Sequence, residues 1–282
     1  MRSPVLSDSA SRLVQGDVFV GGELSALAVA SGTSMKASRL NQTAHLVTRL
    51  AAAVFESLLH AIDANDPETG AHVRRVATYA VILARAADED EACQHRVERV
   101  GLFHDIGKIN GALFDVMRGS AGLTAAERRL IATHTDRGAE VVQPLASFYP
   151  ELPAAVRAHH EWWNGRGYPQ RLRGEEIPFE ARVVAIADVF DALTHRRRYK
   201  NAITITRADQ FIAGGRGTQF DPDLTDLFLS PPVQEEIKEA QRVRRQSRLA
   251  ARTSTRSDPR RQAAHRRDIP EIAFRWRAAV AD

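Results

Sequence analysis

Five of the ten histidines stand beside carboxylates or beside one another: His72 with Glu68 four residues before it, His104 next to Asp105, His134, and the pair His159–His160. Imidazole and carboxylate together are the donor set of divalent first-row metals such as Fe, Mn and Zn. No thiolate lies near them, so a sulfur-bound structural zinc does not fit. Glu68 and His72 are spaced i, i+4, which puts both on one face of a helix. A surface Glu–His pair has the same spacing, so this pair alone decides little. His104 and Asp105 are adjacent, and neighbours on a helix point about 100° apart. One ion can use both only if the helix end unwinds; two ions side by side could use both, with Asp105 between them. The same logic applies to His159 and His160, each serving one of two neighbouring ions. Two histidines in a core helix would otherwise be costly to bury. Asp188 stands among Val184, Ala185, Ile186, Ala187 and Val189, where a lone carboxylate needs a cationic partner. A metal is one candidate, and an arginine from 196–198 is the other.

Two cationic features accompany this set. Lys108 follows Asp105 by three residues and can reach an anionic oxygen beside the metals. Arg196-Arg197-Arg198-Tyr199-Lys200 comes just after the Asp188 segment, and such a cluster suits phosphate recognition. A solvated helix end, where cations favour the dipole, has the same composition. Adjacent metals with a basic clamp describe a phosphoryl hydrolase, in which the ions activate water and neutralise phosphate charge. No G-x-S-x-G elbow, Walker loop or dinucleotide fingerprint competes.

Helices must position these residues. Leu46, Leu50, Val54, Leu58 and Ile62 recur at fourfold spacing and predict an apolar stripe. Asn65-Asp66-Pro67 ends that helix and starts the next, with Asp66 as cap, Pro67 at the first position and Glu68 in the first turn, running to about Ala87. Val97, Val100 and Phe103 predict a third helix leading into His104-Asp105, ended by Gly107. Residues 110–123 read as a loop. Thr124 and Glu127 form a capping box, opening a helix that carries Leu130, Ile131 and His134. Pro153 starts a helix ending near His159-His160. Asn164–Pro169 is a loop, 180–193 a buried helix, and helices near 205–213 and 222–229 close the domain. Past residue 40 no segment alternates as a strand does. The expected class is all-α, a helical bundle over 41–232, preceded by a weakly patterned segment, 1–40, and followed by a basic tail, 233–282.

An apolar content of 44% supports a substantial core in a chain of 282 residues. The net charge of +4 is uneven: 233–282 holds 13 Lys+Arg against 7 Asp+Glu, and 1–232 holds 26 against 28. The tail reads either as a nucleic-acid or anionic-surface contact or as a solvated extension. A single cysteine, Cys93, excludes an internal disulfide and fits a reducing, cytoplasmic compartment. No apolar run is long enough for an integral membrane segment.

Several segments carry a specific resemblance. His104–Ile109 (HDIGKI) resembles the signature of the HD phosphohydrolase superfamily. His159–Pro169 (HHEWWNGRGYP) resembles the segment that marks its HD-GYP subfamily. Thr69–Val76 (TGAHVRRV), Ala187–Thr194 (ADVFDALT) and Gly217–Pro222 (GTQFDP) are similar to further blocks in the right order. The resemblance spans about residues 43–230. It implies an HD-type bundle and metal-dependent hydrolysis of cyclic di-GMP or 3′,3′-cGAMP to the linear dinucleotide, and for some members GMP. The metal ligands it implies are Glu68, His72, His104, Asp105, His134, His159, His160 and Asp188. They would hold two ions, or three with Glu68, and iron or manganese is the implied metal. His104, Asp105 and Lys108 would carry catalysis. Lys108, Tyr168, Asp191, Arg197 and Lys200 would contact substrate. A diguanylate cyclase domain of the GGDEF type and a second copy of the chain are the candidate protein partners. Asn110-Gly111-Ala112-Leu113 departs from the Ile-Pro-Asp type of sequence usual after HDIGKI, and Arg198 replaces a common proline. A metal-holding but slow module that senses nucleotide or docks a partner is the alternative function.

Overall fold

The computed structural model describes residues 53–109, 124–195 and 202–256, the last nine of these as backbone alone. The expectations for 1–40, the 110–123 loop, Arg197, Lys200 and the tail beyond 256 fall outside the described residues. Those residues form helices and short 3-10 turns, with isolated bridges Asn164–Arg173 and Arg216–Phe220 and no strand. The all-α expectation therefore holds. The chain divides into two units between Leu229 and Ser230.

In the first unit a helix runs through 53–65 (α1). It is followed by α2 (Pro67–Ala86), α3 (Glu91–Phe103), α4 (Ala125–Ala132), α5 (His134–Val142), α6 (Leu152–Ala158), α7 (Phe179–Thr194), α8 (Ile205–Gly214) and α9 (Pro222–Phe228). The second unit contains α10 (Pro231–Arg256).

The expected start of α2 is present. Asp66 caps it, accepting from the Glu68 amide at 3.3 Å and the Thr69 hydroxyl at 2.9 Å, with Pro67 first in the helix. Thr124 and Glu127 form the reciprocal capping box on α4. That helix stops at Ala132, however, and His134 opens a separate helix instead of lying inside one.

The stripe on α1 is displaced from the expected one. Phe55, Leu59 and Ile62 are buried, while Val54 is 37% exposed. The reason is helical geometry: at 100° per residue, a strict spacing of four drifts by about 40° each turn. A mixed three-and-four spacing stays on one face. Phe55 packs its ring against Phe103 (4.9 Å between centroids) and Tyr149 (4.8 Å).

The centre of the unit is α7. Val183, Val184, Ile186, Ala187 and Phe190 are fully buried. It packs against α2, α3, α6, α8 and α9. A helix apolar nearly all round belongs inside the protein. Asp188 and Asp191 are therefore carried into the interior by the packing of their neighbours.

Candidate metal centre

Five of the ligand candidates lie at the ends of helices. His104 is the C-cap of α3, and Asp105 follows in the bridge region of backbone space (φ −99°, ψ 8°) before a 3-10 turn, Ile106–Lys108. The helix end thus unwinds, and both side chains reach one place: His104 Nε2 and Asp105 Oδ2 are 3.5 Å apart. His134 is the first residue of α5, and His159-His160 form the turn after α6. His72 and Asp188 project from within α2 and α7, with Nε2 and Oδ1 3.1 Å apart.

Three of the rings share one anchoring device. Nδ1 of His104 lies 2.8 Å from the carbonyl of Gly101, Nδ1 of His134 2.7 Å from that of Ile131, and Nδ1 of His159 2.6 Å from that of Val156. Each carbonyl belongs to the residue three positions earlier. The last carbonyls of a helix lack intrahelical partners, and each ring satisfies one. A carbonyl only accepts, so Nδ1 carries the proton and Nε2 presents its lone pair.

The side chains converge in two groups whose donor atoms lie within 4.8 Å of one another: His72, His104 and Asp188; and Asp105, His134, His159 and His160. Asp105 faces both. Its Oδ2 is 3.7 Å from His72 Nε2, and its Oδ1 is 3.4 Å from His134 Nε2 and 3.9 Å from His159 Nε2. His159 and His160 fall in the same group. Glu68 belongs to neither group.

The arrangement fits cations. His134 Nε2 and His159 Nε2 are 3.2 Å apart, and with both protons on Nδ1 neither can donate to the other. Burial, with Lys108 nearby, pushes the His134 pKa down to about 3. Burial and the other histidines hold His159 well below its usual value, and burial takes His160 down to about 4. These rings are neutral near pH 7, so lone pair faces lone pair beside a carboxylate oxygen. Among the described residues the buried Nε2 of His104 has no hydrogen-bond partner. Against its burial, Asp105 and Asp188 raise the His104 pKa. Lys108 and His104 hold Asp105 low against the opposing effect of burial, and His72 and His104 do so for Asp188. Acceptors aimed at one point, with ionised carboxylates, are what a divalent ion requires.

Of the other expected residues, Lys108 places Nζ 2.6 Å from Asp105 Oδ1. The Tyr168 ring lies 5.0 Å from that of His160, and its amide donates to the His160 carbonyl at 3.2 Å. Burial and the charges of Asp105 and Asp188 raise the phenol pKa, so Tyr168 stays protonated. Asp191 requires correction as a substrate contact. It is fully buried. Its Oδ1 accepts from Arg75 Nε (2.6 Å) and His195 Nδ1 (2.9 Å), and its Oδ2 accepts from Arg75 Nη2 (2.8 Å) and His72 Nδ1 (2.7 Å). Those bonds occupy both oxygens with protein donors.

Arg75, His195 and Glu161 had no assigned role in the sequence reading. Arg75 stands three residues after His72 and Asp191 three after Asp188, so each pair shares a helical face; that matched spacing was the available signal. Glu161 is buried, and its Oε1 accepts from the amides of Gln170 (2.6 Å) and Arg171 (3.0 Å), tying down the far side of the Gly-Tyr-Pro loop. The loop contains a cis Tyr168–Pro169 bond. Gly167 sits so close to the preceding turn that a Cβ would lie 2.2 Å from the Trp162 nitrogen. Trp163 and Asn164 donate to the carbonyls of Gln219 and Thr218, joining the two loops.

The helices bring two imidazole–carboxylate groups that could each hold a metal ion together around one aspartate. Residues 56–224 match the HD domain family, and the chain belongs to that family. It is 36% identical over 175 residues to a 3′3′-cGAMP-specific phosphodiesterase 2 of Vibrio cholerae, covering 61% of this chain and 33% of the relative. It is 32% identical over 196 residues to a probable cyclic di-GMP phosphodiesterase of the same organism, covering 64% and 44%. It is 36% identical over 181 residues to the cyclic di-GMP phosphodiesterase response regulator RpfG of Xanthomonas campestris, covering 64% and 47%. The chain therefore spans between a third and a half of the length of these relatives. Among the described residues no helix is long and apolar enough to cross a membrane.

Proposed function

We propose that this chain is a metal-dependent phosphodiesterase that hydrolyses a cyclic dinucleotide, cyclic di-GMP or 3′,3′-cGAMP, to the linear dinucleotide. The observation that carries the reading is the Asp105 carboxylate, with one oxygen toward the His72–His104–Asp188 group and the other toward His134 and His159. One ion in each group, iron or manganese, would share that aspartate. Bound there, the ions would supply Lewis acidity, lowering the pKa of a water and neutralising phosphate charge.

The chain's own residues do the rest. His134, His159 and His160, kept neutral by burial, present lone pairs without first losing a proton. Lys108, beside Asp105, places an ammonium where a phosphate oxygen would bring negative charge. Tyr168 closes the wall next to His160 and keeps its proton, so its hydroxyl can donate to substrate oxygen. Arg197 and Lys200 would hold further phosphate oxygens, as the resemblance implies. In the reaction, water oxygen bonds to phosphorus, one ribose oxygen leaves, and that oxygen takes a proton.

The names of the three relatives support this substrate class, divided between cyclic di-GMP and cGAMP. The test is anaerobic turnover of both nucleotides by metal-loaded protein, with mononucleotides as competitors. Linear dinucleotide from either cyclic substrate supports the proposal. Binding of metal and nucleotide without product would replace it with a sensor function.

A further inference from the structure

The two halves of the metal centre are not held in the same way. The rings of His134, His159 and His104 are each fixed by the main-chain carbonyl three residues earlier, at the end of the preceding helix. His72 is fixed by a side chain from another helix: its Nδ1 lies 2.7 Å from Asp191 Oδ2, and Asp191 is 119 positions away in sequence. Arg75 grips that carboxylate with two nitrogens, and His195 closes the remaining side. Asp191 thus has donors on each face and no exposed surface.

From this geometry we propose that Asp191 is a positioning residue for His72, and that through it the Asp191–Arg75–His195 network sets the metal affinity of the His72–His104–Asp188 half of the site. This rests on the metal-centre reading above. The physical argument has three steps. An ionised carboxylate only accepts, so it keeps the proton on Nδ1 and the lone pair on Nε2. That lone pair lies beside Asp188 Oδ1 and Asp105 Oδ2, at 3.1 Å and 3.7 Å. A main-chain carbonyl cannot be altered by substitution without moving the helix, whereas Asp191 can. His72 is therefore a ligand whose placement a single side chain controls, and Asp191 acts there from a position enclosed by Arg75, His195 and His72.

Metal-stripped full-length protein would be titrated with Mn(II) by calorimetry, comparing wild type, Asp191→Asn, His72→Gln and the double variant. Asn keeps the size of Asp but removes the negative charge and replaces one accepting oxygen with a donating amide, so the proton on His72 Nδ1 is held less firmly. The expected result is two ions on wild type and, on Asp191→Asn, one of them weakened by about 10- to 100-fold with the other unchanged. In the His72→Gln background, Asp191→Asn should add nothing; a general structural role would still lower affinity there. Should the variant misfold, wild-type protein loaded with Zn(II) and labelled with 15N-histidine gives a second reading. A low-field Nδ1–H resonance, absent in His72→Gln, is expected. Two ions bound by Asp191→Asn with wild-type affinities, equal weakening of both, a further loss in the double variant, or a His72 proton on Nε2 would overturn the positioning role. Wild type that binds no Mn(II) would overturn the metal-centre reading itself, so the two failures are distinguishable.

Discussion

Gly107→Ala isolates the contact that sets the two sides of the centre at their proper distance. Gly107 lies in the 3-10 turn directly after His104-Asp105. A Cβ there would fall 2.1 Å from the His134 carbonyl oxygen and 2.6 Å from the Gly138 nitrogen. Both obstacles are main-chain atoms of α5, so no rotamer change relieves them. Carbon contacts become favourable at about 3.5 Å, so the turn and α5 must separate by more than about 1 Å. Overpacking of this kind costs about 1–3 kcal/mol, and in a domain of this size each kcal/mol lowers Tm by about 2–4 °C. The functional loss should be larger. The turn carries Asp105 and Lys108 while α5 carries His134, and Asp105 Oδ1 to His134 Nε2 is 3.4 Å. A misplacement of about 1 Å in an active site can cost on the order of 100-fold in rate. Thermal melting, metal analysis and turnover would be measured on the variant beside Gly214→Ala, whose Cβ meets nothing within 4 Å and which should be neutral or slightly stabilising. A Gly107→Ala protein that melts with wild type and retains its metal and rate would refute the close-approach argument.

Three further outcomes are expected. Asp105→Ala should abolish hydrolysis and lower metal content in both halves, because its two oxygens face different groups; metal analysis would show retention in one half if the carboxylate is not shared. Asp221→Ala should destabilise by on the order of 3 kcal/mol, seen as a lowered urea midpoint. That carboxylate caps α9 through the amides of Asp223 and Leu224 and pairs with Arg182 at 2.6 Å. Arg197→Ala should raise KM more than it lowers metal content, and unchanged kinetics would remove the phosphate-clamp role.

Much of this centre was legible in residue types and spacing, and the exceptions have physical causes. Asp66-Pro67 and the Thr124–Glu127 box are local signals whose hydrogen bonds close within three residues, and both appear where expected. The break at Thr133 was not legible. His134 rides on the same periodicity as Leu130 and Ile131, but α4 ends at Ala132 with Thr133 as its cap, and the His134 ring bonds to the Ile131 carbonyl at that end. The grouping of His159 with His160 was also hidden, since it depends on α6 stopping at Ala158 so that both rings leave from a turn. Asp191 stood as a substrate contact through the resemblance, on its place in the ADVFDALT block. Arg75 and His195, distant in sequence or unremarkable in pattern, are what turn it inward. Glu68 and His72 share a helix face by spacing, yet only His72 is in a ligand group, because convergence depends on where α3 and α7 lie.

The central claim is that two ions share Asp105 and act on a cyclic dinucleotide. Protein loaded anaerobically with Fe(II) or Mn(II) should be analysed for bound metal and, in the same preparation, for cleavage of cyclic di-GMP and 3′,3′-cGAMP. Two ions per chain together with linear dinucleotide or GMP is the predicted result. Metal bound without product from either nucleotide would contradict the phosphodiesterase, and protein that holds no metal would contradict the centre itself.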